Sequence, residues 1–237
     1  MKKTLLVRLA APMQSWGTRS RFEIRDTERE PTKSGVVGLL AAALGRDRTE
    51  PVADLAKLPM TVRVDQEGEL AVDYQTVAGA RTADNKKRRT ITSHRYYLAD
   101  ASFLVALHVS NDCVDPLSAD KLAQALRQPA WPLALGRRSY TPALPIHAGS
   151  LDLAPMEALR AVPWHAWNPY MLKRARREAS EGTPRQLRVI ADDPGKTSPE
   201  TRNDEPFSFA SNNRQYLTRH VVTSYLPLTD TLLPPAT

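Results

Sequence analysis

Three stretches of this 237-residue chain set reactive or anion-binding side chains close together. The first is REPTKSGVVGLLAAALGR, residues 29–46, which places Lys33 and Ser34 in front of a run of small residues. The first turn of a helix presents unpaired N–H groups and a positive dipole end. A cation and a hydroxyl at that mouth would make a seat for a phosphate. The same residues also suit an ordinary capped helix, packed closely through glycine and alanine, and the spacing does not choose between the two. The P-loop pattern G-x-x-x-x-G-K-[ST] is absent. The second stretch is LGRRSYTP, residues 135–142, where Arg137 and Arg138 follow Gly136. Backbone and guanidinium groups could converge there on a phosphate, or the two arginines could simply be solvated on a surface turn.

The third stretch, residues 78–100, holds six Lys or Arg between Arg81 and Arg95 against one aspartate. Tyr74, His94, Tyr96 and Tyr97 lie in or beside it. Cations interleaved with aromatics suit single-stranded nucleic acid, by neutralising phosphates and stacking bases. A solvated charged loop has the same composition. His94 is the one histidine set among cations and tyrosines, where it could bind RNA or act as a general base in its cleavage. The others are His108, His147, His165 and His220, and none of the five has metal-ligand spacing to a second His or to a carboxylate. No metal and no cofactor are expected. The lone Cys113 reads as a plain strand-end residue.

The elements that must position these groups follow from periodicity. TLLVRLAAP (4–12) alternates as a strand with one buried face. Ser34 is the expected N-cap of a helix from Gly35 to Leu44, with Gly45 closing it. Residues 60–77 read as two strands joined at 66–69, a hairpin. ASFLVALHV (101–109) turns Phe103, Val105, Leu107 and Val109 to one side, and Ser118 caps a helix over 118–128. Residues 133–140 follow as strand and turn. Apart from the basic excursion, the order is that of an α+β ferredoxin-like (RRM-like) βαββαβ unit with an extra hairpin budding from its middle. Further on, 170–182 is a basic helix or loop, 184–190 a strand and 191–208 a mobile loop. The signature aromatics of an ordinary RNA-recognition motif are missing. A net charge of +7 favours an acidic partner, nucleic acid before an anionic membrane surface. The N-terminal apolar stretch is interrupted by Arg8 and suits neither a signal peptide nor a membrane span, so a soluble, cytoplasmic protein is expected.

LLVRLAAPMQSWG, REPTKSGVVGLLAAALG and LGRRSYTP, with DYQTVAGAR and RYYLADASFLVAL between them, occur in this order along residues 1 to about 150. Together they resemble the CasD subunits of type I-E CRISPR Cascade complexes, the fifth Cas family in its E subtype and part of the RAMP superfamily. The resemblance implies a ferredoxin-like domain over 1–148, a β-hairpin thumb inserted at about 73–100, and a smaller C-terminal region over 149–237. It implies a non-catalytic subunit that caps the 5′ handle of the CRISPR RNA. Its neighbours would be the CasC backbone subunit and the large subunit CasA, and it would reach target DNA only through the complex. In subtype C the corresponding subunit is itself the processing endoribonuclease, which keeps a metal-independent nuclease with His94 as base as the alternative. A pure protein-interaction module is a third.

Carried over by position, Gln14, Ser15 and Trp16 sit in the family's first loop, Lys33 and Ser34 at its first helix, and Arg137 and Arg138 in its glycine turn. The chemistry of these positions makes Gln14, Trp16, Lys33, Ser34, Arg137 and Arg138 the expected RNA contacts of the body. Arg81, Arg89, Arg95 and Tyr96 are those of the thumb.

Overall fold

The structure, a computed structural model, describes residues 2–18, 23–81, 88–110, 117–165 and 167–234. Cys113 and residues 82–87 of the basic excursion lie outside them. The elements run β1 (Lys2–Ala10), β2 (Met13–Gln14), β3 (Ile24–Arg25), α1 (Lys33–Ala43), α2 (Ala53–Ala56), β4 (Met60–Gln66), β5 (Glu69–Arg81), β6 (Arg88–Ala99), β7 (Ser102–Ser110), α3 (Ala119–Arg127), β8 (His147–Leu151), α4 (Pro155–Ala161), α5 (Pro169–Ser180), β9 (Gln186–Asp192), β10 (Thr201–Ser208) and β11 (Gln215–Pro227).

Alternation along β1 sends Leu5, Val7 and Leu9 into one apolar cluster and Leu6 into a second on the opposite face. The strand is therefore covered on both sides rather than one. β7 behaves alike, with Phe103, Val105, Leu107 and Val109 in the first cluster and Leu104 and Ala106 in the second. The seven-stranded sheet has the order β10-β11-β9-β4-β7-β1-β8, with every pair antiparallel. Strands from both sides of residue 148 share it. α1 and α3 cover one face, and α4 and α5 the other. In α3, Ala119, Leu122, Ala123 and Leu126 are buried, the i, i+3, i+4, i+7 stripe of an amphipathic helix. α1 is buried on nearly every side, including Val36, Val37, Leu39, Leu40, Ala41 and Ala43.

A second sheet has the order β2-β6-β3, with β5 on β6. β5 and β6 form a long antiparallel hairpin, in register from Glu69 opposite Ala99 to Arg81 opposite Arg88, with a bulge between Val77 and Ala80. β4 and β5 do not pair as the expected hairpin, because both edges of β4 are already taken by β7 and β9. The chain instead turns out at Glu67 and Gly68 into the second sheet.

Three further expectations are corrected. The α1 cap is Thr32, whose side chain accepts from the Gly35 N–H, so the helix begins at Lys33. Residues 133–140 form no strand: the Leu135 N–H folds back onto the Tyr140 carbonyl at 2.8 Å, and the last strand beside β1 is β8. Residues 191–208 are not a loose loop. Asp193 accepts from the N–H groups of Gly195, Thr197 and Ser198, and β10 follows directly.

Candidate nucleic-acid interface

Helix α1 opens onto carboxylates of its own chain. The Lys33 N–H donates to Asp204 Oδ2 at 2.8 Å, and Lys33 Nζ meets Asp192 Oδ2 at 2.7 Å. Arg219 bridges the two acids, donating to Asp204 at 2.7 and 3.0 Å and to Asp192 at 2.5 Å. Burial alone would lower the Arg219 pKa, and these contacts more than reverse it. Asp192 also accepts from the Met60 N–H at 2.9 Å. The anion that the helix mouth favours is thus supplied by β9 and β10. Lys33 is buried and paired within the fold, and the open phosphate seat expected there is filled from inside. Ser34 remains half-buried, with its hydroxyl 3.4 Å from Thr32 Oγ1.

The first loop packs inward as well. Gln14 is fully buried, and its amide donates to the carbonyls of Leu9 and Ala101. Trp16 is 1% exposed and lies against Gly35, where an added Cβ would come within 2.7 Å of the indole. Its Nε1–H has no acceptor among the described residues. The Ser15 N–H donates to the Leu135 carbonyl at 3.1 Å, tying this loop to the glycine turn. Gly136 has φ +95°, and a Cβ there would stand 1.8 Å from the Ser15 carbonyl oxygen. No other residue fits that position.

The two arginines of the turn part company. Arg137 donates to Tyr140 Oη at 2.6 Å and to the Tyr96 carbonyl at 2.8 Å, and reaches the Arg25 carbonyl at 3.4 Å. Its guanidinium also lies 5.3 Å from the centre of the Tyr140 ring. It clamps the glycine turn to the base of the β5–β6 hairpin. Arg138 is exposed and makes no hydrogen bond or ion pair among the described residues.

On the hairpin, Arg81 and Arg89 are exposed, while Arg95 and Tyr96 are half-buried, with Arg95 Nε 3.2 Å from Ser93 Oγ. Directly opposed residues share a face, so Leu70, Val72 and Tyr74 lie with Leu98, Tyr96 and His94. His94 is exposed and stands edge-on to Tyr74 at 5.1 Å.

A groove of about 730 Å³ runs between α1, the loop that carries Trp131 and Arg138, and the turn joining β10 to β11. It gathers Ser34, Trp16 and Arg138 from the expected set. It also contains Arg48, Trp131, Arg214 and Tyr216, which the sequence reading missed. Trp131 carried a faint signal, a tryptophan set between Pro129 and Pro132 just after a helix. Arg214 and Tyr216 carried none. No cluster of His, Cys, Asp or Glu suited to a metal occurs among the described residues, and no helix there is long and apolar enough to cross a membrane.

Residues 4–222 match the profile of the family described as CRISPR-associated protein (Cas_Cas5). The chain belongs to this family. It is 38% identical over 173 residues to the CRISPR system Cascade subunit CasD of Escherichia coli (strain K12), covering 67% of this chain and 76% of that protein. Among solved structures it resembles one described as the crystal structure of a Cas protein, with TM-score 0.72, 37% identity and 98% of each chain covered. A chain of a CRISPR RNA-guided surveillance complex gives TM-score 0.79 at 34% identity, over 98% of this chain and 93% of that one. In this chain Arg137 links the glycine turn to the basic hairpin, beside the β2 loop that joins both.

Proposed function

We propose that this chain is a non-catalytic, RNA-binding subunit of a CRISPR Cascade surveillance complex, and that it caps the 5′ handle of the CRISPR RNA. The observation that carries this reading is the likeness, over nearly the whole chain, to a chain of an RNA-guided surveillance complex. The strand order β8-β1-β7-β4, with α1 and α3 on one face, is read as the ferredoxin-like unit of residues 1–148. The β5–β6 hairpin is read as its thumb, and residues 149–237 as the smaller C-terminal region. The RNA passes between thumb and body. Arg81, Arg89, Arg95 and Tyr96 meet it from the thumb, and Ser34 and Arg138 from the body. Gln14, Trp16, Lys33 and Arg137 hold those surfaces in place. The protein partners are the CasC backbone subunit and the large subunit CasA, and the complex works in the cytoplasm.

The His94 surroundings support binding over cleavage. Its ring contact is a tyrosine edge, and the described hydrogen bonds give the ring no carboxylate to orient it. The test uses the purified chain, labelled repeat RNA and EDTA, followed on a native and a denaturing gel. A retarded, uncut RNA is expected. A discrete cut that disappears in His94→Ala would replace this reading with that of a processing nuclease.

A further inference from the structure

We infer that the groove beside α1 is a subsite for one unstacked nucleotide of the bound RNA, separate from the thumb and completed by the C-terminal β10–β11 turn. The inference rests on the RNA-binding reading above and adds where a base is held. Its floor is the small-residue side of α1, formed by Gly38 and Ala42, with Gly35 covered by the Trp16 ring. Trp131 and Tyr216 line it while 45% and 38% exposed, so both rings have area to give to a base. Stacking of that kind accepts any base, because each has a π face.

The charge of the groove matches a phosphodiester. Arg48, Arg138 and Arg214 line it against a single acid, Asp47. Asp47 already accepts from the backbone and hydroxyl of Thr49. Arg46 also lines the groove, but its guanidinium is held by both oxygens of Asp54 and adds no free charge. Arg138 and Arg214 have no such partner among the described residues.

The subsite makes the C-terminal half part of the RNA contact. Phe209 closes the groove from that side, lying 3.9 Å from the position a Cβ would take on Gly38. Arg214 and Tyr216 follow directly after the turn. The base lies on Trp131 and Tyr216, and its flanking phosphates lie on Arg138 and Arg214.

The experiment uses the full chain and a repeat-derived single-stranded RNA with a photoreactive thiouridine at each position in turn. A crosslink from one RNA position to a peptide carrying Trp131 or Tyr216 is expected. The Arg138→Ala, Arg214→Ala double variant should bind about ten-fold more weakly. Its log-log salt dependence should be shallower by about 1.4, the value for two phosphates of a single strand. Trp131→Ala should also weaken binding about ten-fold while leaving the salt slope unchanged. All three side chains are exposed, and matching thermal melts would exclude unfolding. Wild-type affinity in both variants, with crosslinks confined to β5 and β6, would overturn the subsite and leave the RNA-binding reading standing. Protection of the groove by a protein subunit in the assembled complex, in place of a crosslink, would overturn it too. If the wild-type chain binds no RNA either alone or in its complex, the functional reading and the subsite fall together.

Discussion

The backbone N–H of Lys33 donates to Asp204 Oδ2 at 2.8 Å, across 171 residues of sequence. This bond supplies the anion for which α1 is built and fastens the first helix to β10. Around it, Lys33, Asp192, Asp204 and Arg219 form a buried set of two cations and two anions. Taking such groups out of water is costly, and their mutual pairing offsets the cost only while the set is complete.

Replacing one member should therefore be severe. Asp204→Asn keeps the shape but leaves Arg219 buried with reduced compensation, and Asp204→Ala removes the helix-mouth acceptor as well. The Ala variant should lose about 3–5 kcal/mol, with the Asn variant intermediate, as read from denaturant midpoints. A midpoint unmoved by either change would mean that the acid contributes nothing to joining the two halves.

Two glycines one turn apart in α1 should respond in opposite directions. A Cβ on Gly35 would fall 2.7 Å from the buried Trp16 ring, while one on Gly38 would meet Phe209 at an ordinary 3.9 Å. Gly35→Ala should cost about 1–3 kcal/mol through overpacking, even after its gain in helix propensity. Gly38→Ala should be neutral or stabilising by up to about 1 kcal/mol. Equal thermal shifts in the two variants would contradict this difference in packing.

Those contrasts mark what the sequence could reveal. The alternation of Phe103, Val105, Leu107 and Val109 announced β7, and Ser118 announced the start of α3, because both signals lie within a few residues. The start of α1 was displaced by two positions. Thr32 and Ser34 are both good caps, and the choice is made by Asp204, far along the chain. Arg137 and Arg138 are chemically identical neighbours; only the carbonyl of Tyr96 and the hydroxyl of Tyr140 distinguish the clamp from the exposed cation. Arg214 and Tyr216 were invisible because nothing in residues 209–216 marks an element. Their position depends on the β10–β11 hairpin, in which Tyr216 stands opposite Pro206, being held against α1 through Asp204, a long-range event with no local signature.

The division between the turn arginines is directly measurable. Arg137→Ala should destabilise the chain by about 1–3 kcal/mol, since it leaves the Tyr96 carbonyl and the Tyr140 hydroxyl without their charged donor. Hydrogen exchange should rise at the base of β6. Arg138→Ala should leave stability within about 0.5 kcal/mol of the parent and lower RNA affinity in a salt-dependent way. The reverse pattern, with Arg138 supporting the fold and Arg137 the RNA, would reject the assignment.

His165 gives the fold a sensitivity to mild acid. Burial, and then the nearby Arg8 charge, push its pKa below the ordinary 6.5, with Asp65 pulling the other way. Its Nδ1 lies 3.1 Å from Ser102 Oγ, and its ring meets Trp167 edge-on at 5.3 Å. His147 is shifted in the same direction, by burial and then by Arg127. A histidine whose pKa is depressed in the folded chain is protonated first in the unfolded one, so stability rises with pH across that interval. The contribution is complete above 6.5 and is lost as the pH falls below it, levelling off once the folded chain is protonated too. Because His165 is only half-buried, its share should stay below about 1 kcal/mol. Denaturation midpoints measured downward from neutral pH should therefore fall in the wild-type chain and fall less in His165→Asn. The residual slope near pH 6 then belongs to His147, whereas losses at lower pH belong to carboxylates such as Asp54, held below their ordinary range by the Arg46 bond. An unchanged slope in His165→Asn would remove His165 as the origin of the acid sensitivity.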